Sequence, residues 1–330
     1  MTLKRSNILA LCVMAVLTAI LLGPRARVDG RVAPVDVPTN VDSFVLATEA
    51  VVQGIREGDR KRIVWAAPES RTRTPIAVVY LHGFSADPHE LDPVPHRLAD
   101  SLGANLFVTR LAGHGLEGGD GLAAATAADW LRDTEEAVAI GARLGERVVL
   151  MGTSTGGTLA VWAAAHSRRR DTLAALVLVS PNFGPRDAGA ELLLWPWGGL
   201  LARGVVGRER CWTPANDEQS RHWTTCYPTK ALLPMMALVD LVGRMDLSRV
   251  SAPALVLLSS RDQVVDPDQT RRRVPLFGSP IKEFVEIAGD GDPSHHVLAG
   301  DILSPGTTDT VVAEVLSFVR RLMPSTDPLP

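Results

Sequence analysis

The sequence predicts an α/β fold: a mostly parallel sheet with helices on both faces and an inserted cap. Three observations carry this expectation. Short runs of Val, Ile and Leu recur between longer amphipathic stretches, the rhythm of strands joined by crossover helices. These runs lack the alternation of a half-exposed strand, so they read as strands buried on both faces. One interval of about seventy residues, between Asn182 and Ser251, breaks the rhythm and is too long for a simple connection.

The elements follow in order. Lys4 and Arg5 precede an apolar run from Ile8 to Leu22 in which Thr18 is the one polar residue. Its fifteen residues reach about 23 Å as a helix, short of a roughly 30 Å hydrocarbon core. No small-x-small cleavage site follows, so residues 1–23 read as a signal anchor or signal peptide that ties the chain to a membrane or exports it. Arg25, Arg27 and Arg31 balance the basic pair before the run, leaving orientation open, with the periplasmic or extracellular side expected. Residues 24–41 carry Pro24, Pro34 and Pro38 without helical period and read as a linker. The remaining chain, 42–330, forms the main domain, with the cap at about 183–250. Asp42 is placed to cap a helix over 42–56. Strands are expected at 61–67, 76–81, 105–110, 147–151, 175–179, 254–258 and 283–287. Helices fall between them at 91–102, 125–144, 156–166, 267–276 and 308–322.

Composition excludes several classes of function. With 46% apolar and 22% charged residues the chain is globular rather than disordered. Its 34 basic residues against 37 acidic ones provide no basic field, so no nucleic-acid partner is expected. Three cysteines, none in a C-x-x-C pair, are too few for a disulfide scaffold or a four-thiolate zinc site, and neither metal nor cofactor is expected. Cys211 and Cys226 both fall in the cap, which lacks a sheet to hold it. Export would let them form a disulfide closing a loop of about 15 residues, worth roughly 3 kcal/mol in the chain-entropy model.

The chemistry centres on Gly152-Thr153-Ser154-Thr155-Gly156-Gly157, which lies between a strand and a helix. That context makes G-x-S-x-G meaningful: a serine at the tip of so tight a turn takes strained angles, and side chains at 152 and 156 would collide with strand and helix. Such a serine needs a histidine to take its proton and an acid to orient the histidine, in the chain order Ser, acid, His. Of the later histidines, His166 lies on the following helix and His222 in the cap, leaving the adjacent pair His295 and His296. Asp262 directly follows a strand and is the candidate acid, while Asp266 reads as the N-cap of a helix beginning at Pro267. Asp290 and Asp292, which read as solvated loop carboxylates, are the weaker alternatives for the acid. The oxyanion of a tetrahedral intermediate needs two N–H donors, which Thr155 and Phe84 can supply. His82 and His114 read as loop braces.

Five ordered segments together resemble the α/β-hydrolases. These are His82-Gly83-Phe84-Ser85-Ala86, Arg110-Leu111-Ala112-Gly113-His114-Gly115, the Ser154 segment, Asp262-Gln263-Val264-Val265-Asp266-Pro267 and Ser294-His295-His296-Val297-Leu298. Within that superfamily the chain is similar to the monoglyceride-lipase and carboxylesterase branch grouped with serine aminopeptidases, over residues 61–323. The resemblance implies the α/β-hydrolase fold, a triad of Ser154, Asp262 and His296 rather than His295, and oxyanion donors at Phe84 and Thr155. It also implies a serine hydrolase that cleaves carboxylic esters through an acyl-enzyme. Thr155 departs from the bulky residue that commonly follows the family's serine. Two rivals are an acyltransferase using the same triad and an inactive anchored interaction module, though no triad residue or motif glycine is lost. No acidic cluster marks a site for a substrate amine, which sets aminopeptidase activity behind ester hydrolysis. Trp195, Trp197, Trp212 and Trp223 in the cap suit either an apolar acyl or aromatic group or the cap's own small core.

Overall fold

Seven of the apolar runs assemble into one sheet. The computed structural model describes residues 5–289 and 291–323, so Lys4 and Asp290 lie outside it. Its strands are β1 (Arg62–Val64), β2 (Thr74–Leu81), β3 (Asn105–Val108), β4 (Gly145–Thr153), β5 (Leu173–Val179), β6 (Glu209–Cys211), β7 (Cys226–Pro228), β8 (Ala254–Leu258) and β9 (Lys282–Glu286). The main sheet runs in the order β1-β3-β2-β4-β5-β8-β9; β1 is antiparallel to β3 and all other neighbours are parallel.

Alternate residues of β2 enter opposite cores. Ala77, Val79 and Leu81 pack on the face covered by the helices Ala127–Leu144 and Thr155–His166. Ile76, Val78 and Tyr80 pack on the face covered by Val94–Leu102 and Thr308–Leu322. Because both faces are covered, both sets of positions are apolar, which is why the central strands read as unbroken Val/Ile/Leu runs. Parallel pairing brings the C-terminal ends of β2, β4, β8 and β9 to one end of the sheet, from which the segments carrying Phe84, Ser154, Asp262 and His296 leave.

Several element ends differ from expectation. The helix expected at 42–56 is Val41–Ala50, capped by Asn40, whose side chain accepts from the Ser43 N–H. Asp42 instead accepts from Trp65 Nε1 and pairs with Arg71. Val51 and Val52 are poor helix formers and Gly54 has φ +71°, so the chain turns before residue 56. The helix expected from 91 starts at Val94, because Pro93 at its N-cap lacks an N–H to continue a helix backwards. The helix expected at 267–276 is α-helical over Pro267–Arg273 and finishes as a 3₁₀ turn, Val274–Leu276, since Pro275 removes a donor. The outermost strand, expected at 61–67, pairs only over Arg62–Val64.

Residues 24–41 were expected to form a linker; they pack on the main domain instead. Val37 is buried and its carbonyl accepts from Arg143 Nε, while the Gly30 carbonyl accepts from Trp162 Nε1. The apolar residues Ala26, Val28, Val32 and Val35 lie against the core, an arrangement that a proline-rich composition does not reveal. The preceding helix, Arg5–Leu21, exposes its apolar residues from Leu11 onward. Among the described residues no helix is long and apolar enough to cross a membrane.

Between β5 and β8 the chain leaves the sheet, forms the helices Gly198–Val206, Asp217–His222 and Leu232–Arg244, and returns. This segment has its own small sheet, contrary to expectation: β6 and β7 pair antiparallel with Cys211 opposite Cys226, and the two cysteines are joined by a disulfide.

Candidate active site

The turn after β4 is built by sterics. Ser154 sits at φ 51°, ψ −115°, a region that non-glycine residues occupy only where surrounding contacts enforce it. The Ser154 N–H donates to the Val179 carbonyl of β5 at 2.9 Å, and its carbonyl accepts from the N–H groups of Thr158 and Asn182 and from the Thr158 hydroxyl. A Cβ at Gly156 would lie 2.1 Å from the Leu81 carbonyl oxygen, and one at Gly152 would lie 2.4 Å from that of Gly156. Glycine at both positions is therefore what lets the helix Thr155–His166 start directly under the serine, with its N-terminal N–H groups facing the site.

The histidine and acid come from loops after β9 and β8. His296 Nδ1 lies 2.8 Å from Asp262 Oδ2. The other carboxylate oxygen of Asp262 accepts from the N–H groups of Val264 and Val265, so the acid presents one oxygen to the ring in a fixed orientation. His295, its neighbour, has φ 53° and points its ring away, with Nδ1 3.1 Å from the Gly289 carbonyl. Asp266 caps the helix Pro267–Arg273, accepting from the Asp268 N–H. Asp292 corrects a sequence expectation: it is buried rather than solvated. Its carboxylate accepts from the N–H groups of Ser294, His296 and Val297 and from the Ser294 hydroxyl, and so shapes the loop that presents His296. Burial works against its charge, but these donors hold it below the usual carboxylate range.

After β2 the chain turns at Gly83, where a Cβ would approach Ser154 Cβ to 3.3 Å. The loop therefore passes directly over the serine. Phe84 follows, its ring edge-on to His114, Trp130 and Tyr227. His82 and His114 brace this region. His82 Nε2 accepts from the Leu111 N–H and Nδ1 donates to the Gly83 carbonyl, and burial lowers its pKa to about 4, keeping the ring neutral.

Glu90 was not singled out in the sequence. It is buried, accepts from the Gly83 N–H at 2.7 Å and the Tyr80 hydroxyl at 3.0 Å, and lines the same cavity as Ser154. Burial raises its pKa to about 7. Its lack of a sequence signal is understandable, since it sits among Asp87, His89 and Asp92 in what reads as a polar loop.

Ser154, Thr155, Phe84, Glu90 and His296 all open into one cavity of about 510 Å³. Its far wall comes from the insertion, through Leu193, Trp212, Trp223, Tyr227, Leu232 and Met235. Of the four insertion tryptophans, Trp212 and Trp223 face this cavity, whereas Trp195 and Trp197 are exposed. The Thr155 hydroxyl is buried at the cavity wall and makes no hydrogen bond. A serine and an oriented histidine lining one cavity, next to a helix start and the loop of Phe84, form an arrangement suited to acyl transfer.

Comparison with known proteins gives the same direction. The serine aminopeptidase family S33 matches residues 73–291. The thermostable monoacylglycerol lipase of Bacillus sp. (strain H-257) is 27% identical over 242 residues, covering 73% of this chain and 90% of that protein. Among solved structures, a chain from the metagenome-derived lipolytic enzymes LipS and LipT superposes with TM-score 0.64 at 22% identity, covering 81% of this chain and 99% of that one. The monoacylglycerol lipase of Paleococcus ferrophilus gives TM-score 0.55 at 16% identity, covering 80% and 98%. These two likenesses show the shared fold.

Proposed function

We propose that this chain, which belongs to the serine aminopeptidase S33 family, hydrolyses carboxylic esters with an apolar acyl group through an acyl-enzyme on Ser154. The observation that carries this reading is the single cavity in which Ser154, at its strained elbow, meets His296 held 2.8 Å from Asp262. In this mechanism His296 takes the proton of Ser154 as Oγ attacks the ester carbonyl. The N–H groups of Phe84 and Thr155 receive the oxyanion, and the departing alkoxide leaves as an alcohol with the proton from His296. Water then attacks the acyl-enzyme, losing its proton to His296, and Ser154 regains its own as the acid departs. Asp262 keeps the ring in the tautomer that leaves Nε2 free to accept.

The apolar wall formed by Leu193, Trp212, Tyr227 and Met235 supports an acyl chain or aromatic group as the held part of the substrate. The monoacylglycerol lipase relative supports a small glycerol monoester as one candidate. The helix Arg5–Leu21, whose apolar residues from Leu11 onward are exposed and whose Ala19 carbonyl accepts from Trp197 of the insertion, supports attachment to a membrane. The Cys211–Cys226 disulfide supports an oxidising compartment, outside the cytoplasm. Transfer of the acyl group to an alcohol shares the same intermediate. Release of free acid with water as the sole acceptor separates hydrolysis from transfer. The test is a panel of p-nitrophenyl esters and monoacylglycerols of increasing chain length; turnover that grows with apolar chain length is expected, and no turnover of any ester overturns the reading.

The pH profile follows from the site. Burial lowers the pKa of His296, but Asp262, by charge and hydrogen bond, and Glu90 and Asp292 beyond it outweigh burial and leave it above the ordinary histidine value. Catalysis needs the neutral ring, so kcat/KM is expected to fall as pH drops through this raised pKa, giving an acid limb above about 6.5. Glu90→Gln removes one carboxylate that favours the imidazolium, and the limb should move to lower pH. A limb that stays in place in the Gln variant contradicts the coupling.

A further inference from the structure

Outside the active site, four side chains from three separate parts of the chain converge without a role in the mechanism above. Asp59 lies before β1, Asp87 and His89 lie in the loop after β2, and His222 ends the helix Asp217–His222 of the insertion. One ligand atom from each lies within 4.8 Å of all the others. We propose that they form a structural zinc site that clamps the insertion to the loop carrying Phe84.

The contacts of the His89 ring are longer than hydrogen bonds and match the spacing of metal ligands. His89 Nδ1 stands 3.4 Å from Asp59 Oδ1 and 3.3 Å from Asp87 Oδ1, yet this buried nitrogen makes no hydrogen bond. N–H···O bonds run at about 2.7–3.2 Å. Zinc bonds to nitrogen and oxygen of about 2.0–2.2 Å set tetrahedral ligand–ligand edges of about 3.3–3.5 Å, the range of the two His89 contacts. His222 Nδ1 comes from the insertion side and is hydrogen-bonded to Asp87 Oδ2 at 2.8 Å, a bond that zinc would replace when it takes this nitrogen.

The surroundings support the same reading. Both carboxylates are buried, and Arg56 reaches each of them, at 2.7 Å to Asp59 Oδ2 and 3.1 Å to Asp87 Oδ2. Oδ1 of each is turned towards the His89 ring, that of Asp87 also accepting the His89 backbone N–H at 2.8 Å, and such second contacts are how ligating carboxylates are commonly held. Two imidazoles and two carboxylates form a donor set that zinc favours over magnesium or calcium, and four protein ligands leave no open position for catalysis. The metal would therefore be structural. Next to the site the Thr224 N–H donates to the Ser85 carbonyl at 2.7 Å, so the clamp would reinforce a contact between the insertion and the segment beside Phe84. The competing occupant is a proton on His89, shared between the two carboxylates.

The test uses the full chain, treated with chelator, exchanged into metal-free buffer and then given zinc or cobalt(II) alone. The expected result is about one zinc retained per chain after desalting, the visible absorption of tetrahedral cobalt(II), and a higher Tm with zinc. His89→Gln should weaken zinc binding by about 100-fold or more and abolish the cobalt spectrum. His222→Gln, on a different element, should do the same if the first variant folds poorly. No retained zinc, or retention that both variants leave unchanged, overturns the proposal and leaves the proton as occupant. The failure of esterase activity would not bear on it, because metal content is read independently of turnover.

Discussion

Ser154→Ala is expected to lower kcat for ester hydrolysis by about 10⁴-fold or more without changing the fold. The elbow is held by backbone contacts to Val179, Thr158 and Asn182 and by the glycines at 152 and 156, all of which alanine preserves. Alanine also shares serine's tolerance of φ 51°, so no new backbone strain enters. The loss therefore reports the nucleophile alone. Circular dichroism and Tm should match the parent protein, while p-nitrophenyl ester turnover falls to the level left by the oxyanion donors and substrate binding. Near-parental turnover by the alanine variant would remove the proposed mechanism.

His296→Ala should match that loss, whereas His295→Ala should keep most of the activity. The two rings diverge at the backbone: His295 has positive φ and turns its ring to the Gly289 carbonyl, while His296 faces Asp262 and the cavity. The alanine at 295 loses one loop contact and keeps a positive φ that histidine tolerates better than alanine, which should lower Tm modestly. Steady-state kinetics on both variants, at a pH well above the acid limb, separate them. Comparable losses in the two would mean that the loop, rather than the ring of His296, carries the effect.

The sequence made the central strands legible because covering both faces leaves one composition possible; 254–258 was expected and Ala254–Leu258 is observed. Ends were harder. Asn40 and Asp42 are both good caps, and the choice rests on tertiary contacts to Trp65 and Arg71 that have no local signal. The packing of residues 24–41 was hidden for the same reason, since Trp162 and Arg143 reach them from more than a hundred positions away. In the site, Ser154, Asp262 and His296 stood out because each lies in a motif with a strand before it. Asp292 and Glu90 did not, because a buried carboxylate in a loop looks like a solvated one until its hydrogen-bond donors are known. The cluster of Asp59, Asp87, His89 and His222 has no regular spacing at all, and only the fold assembles it.

The most direct test of the ester-hydrolase account is a pre-steady-state reaction with a p-nitrophenyl ester, followed by intact-mass analysis and peptide mapping of the quenched protein. The account predicts a burst approaching one equivalent of p-nitrophenol per chain wherever deacylation is the slower step. It further predicts a single acyl adduct on Ser154, formed in the His295→Ala protein and absent from Ser154→Ala. Steady turnover with the adduct on another residue, or undiminished turnover and adduct formation in the Ser154→Ala protein, would contradict it.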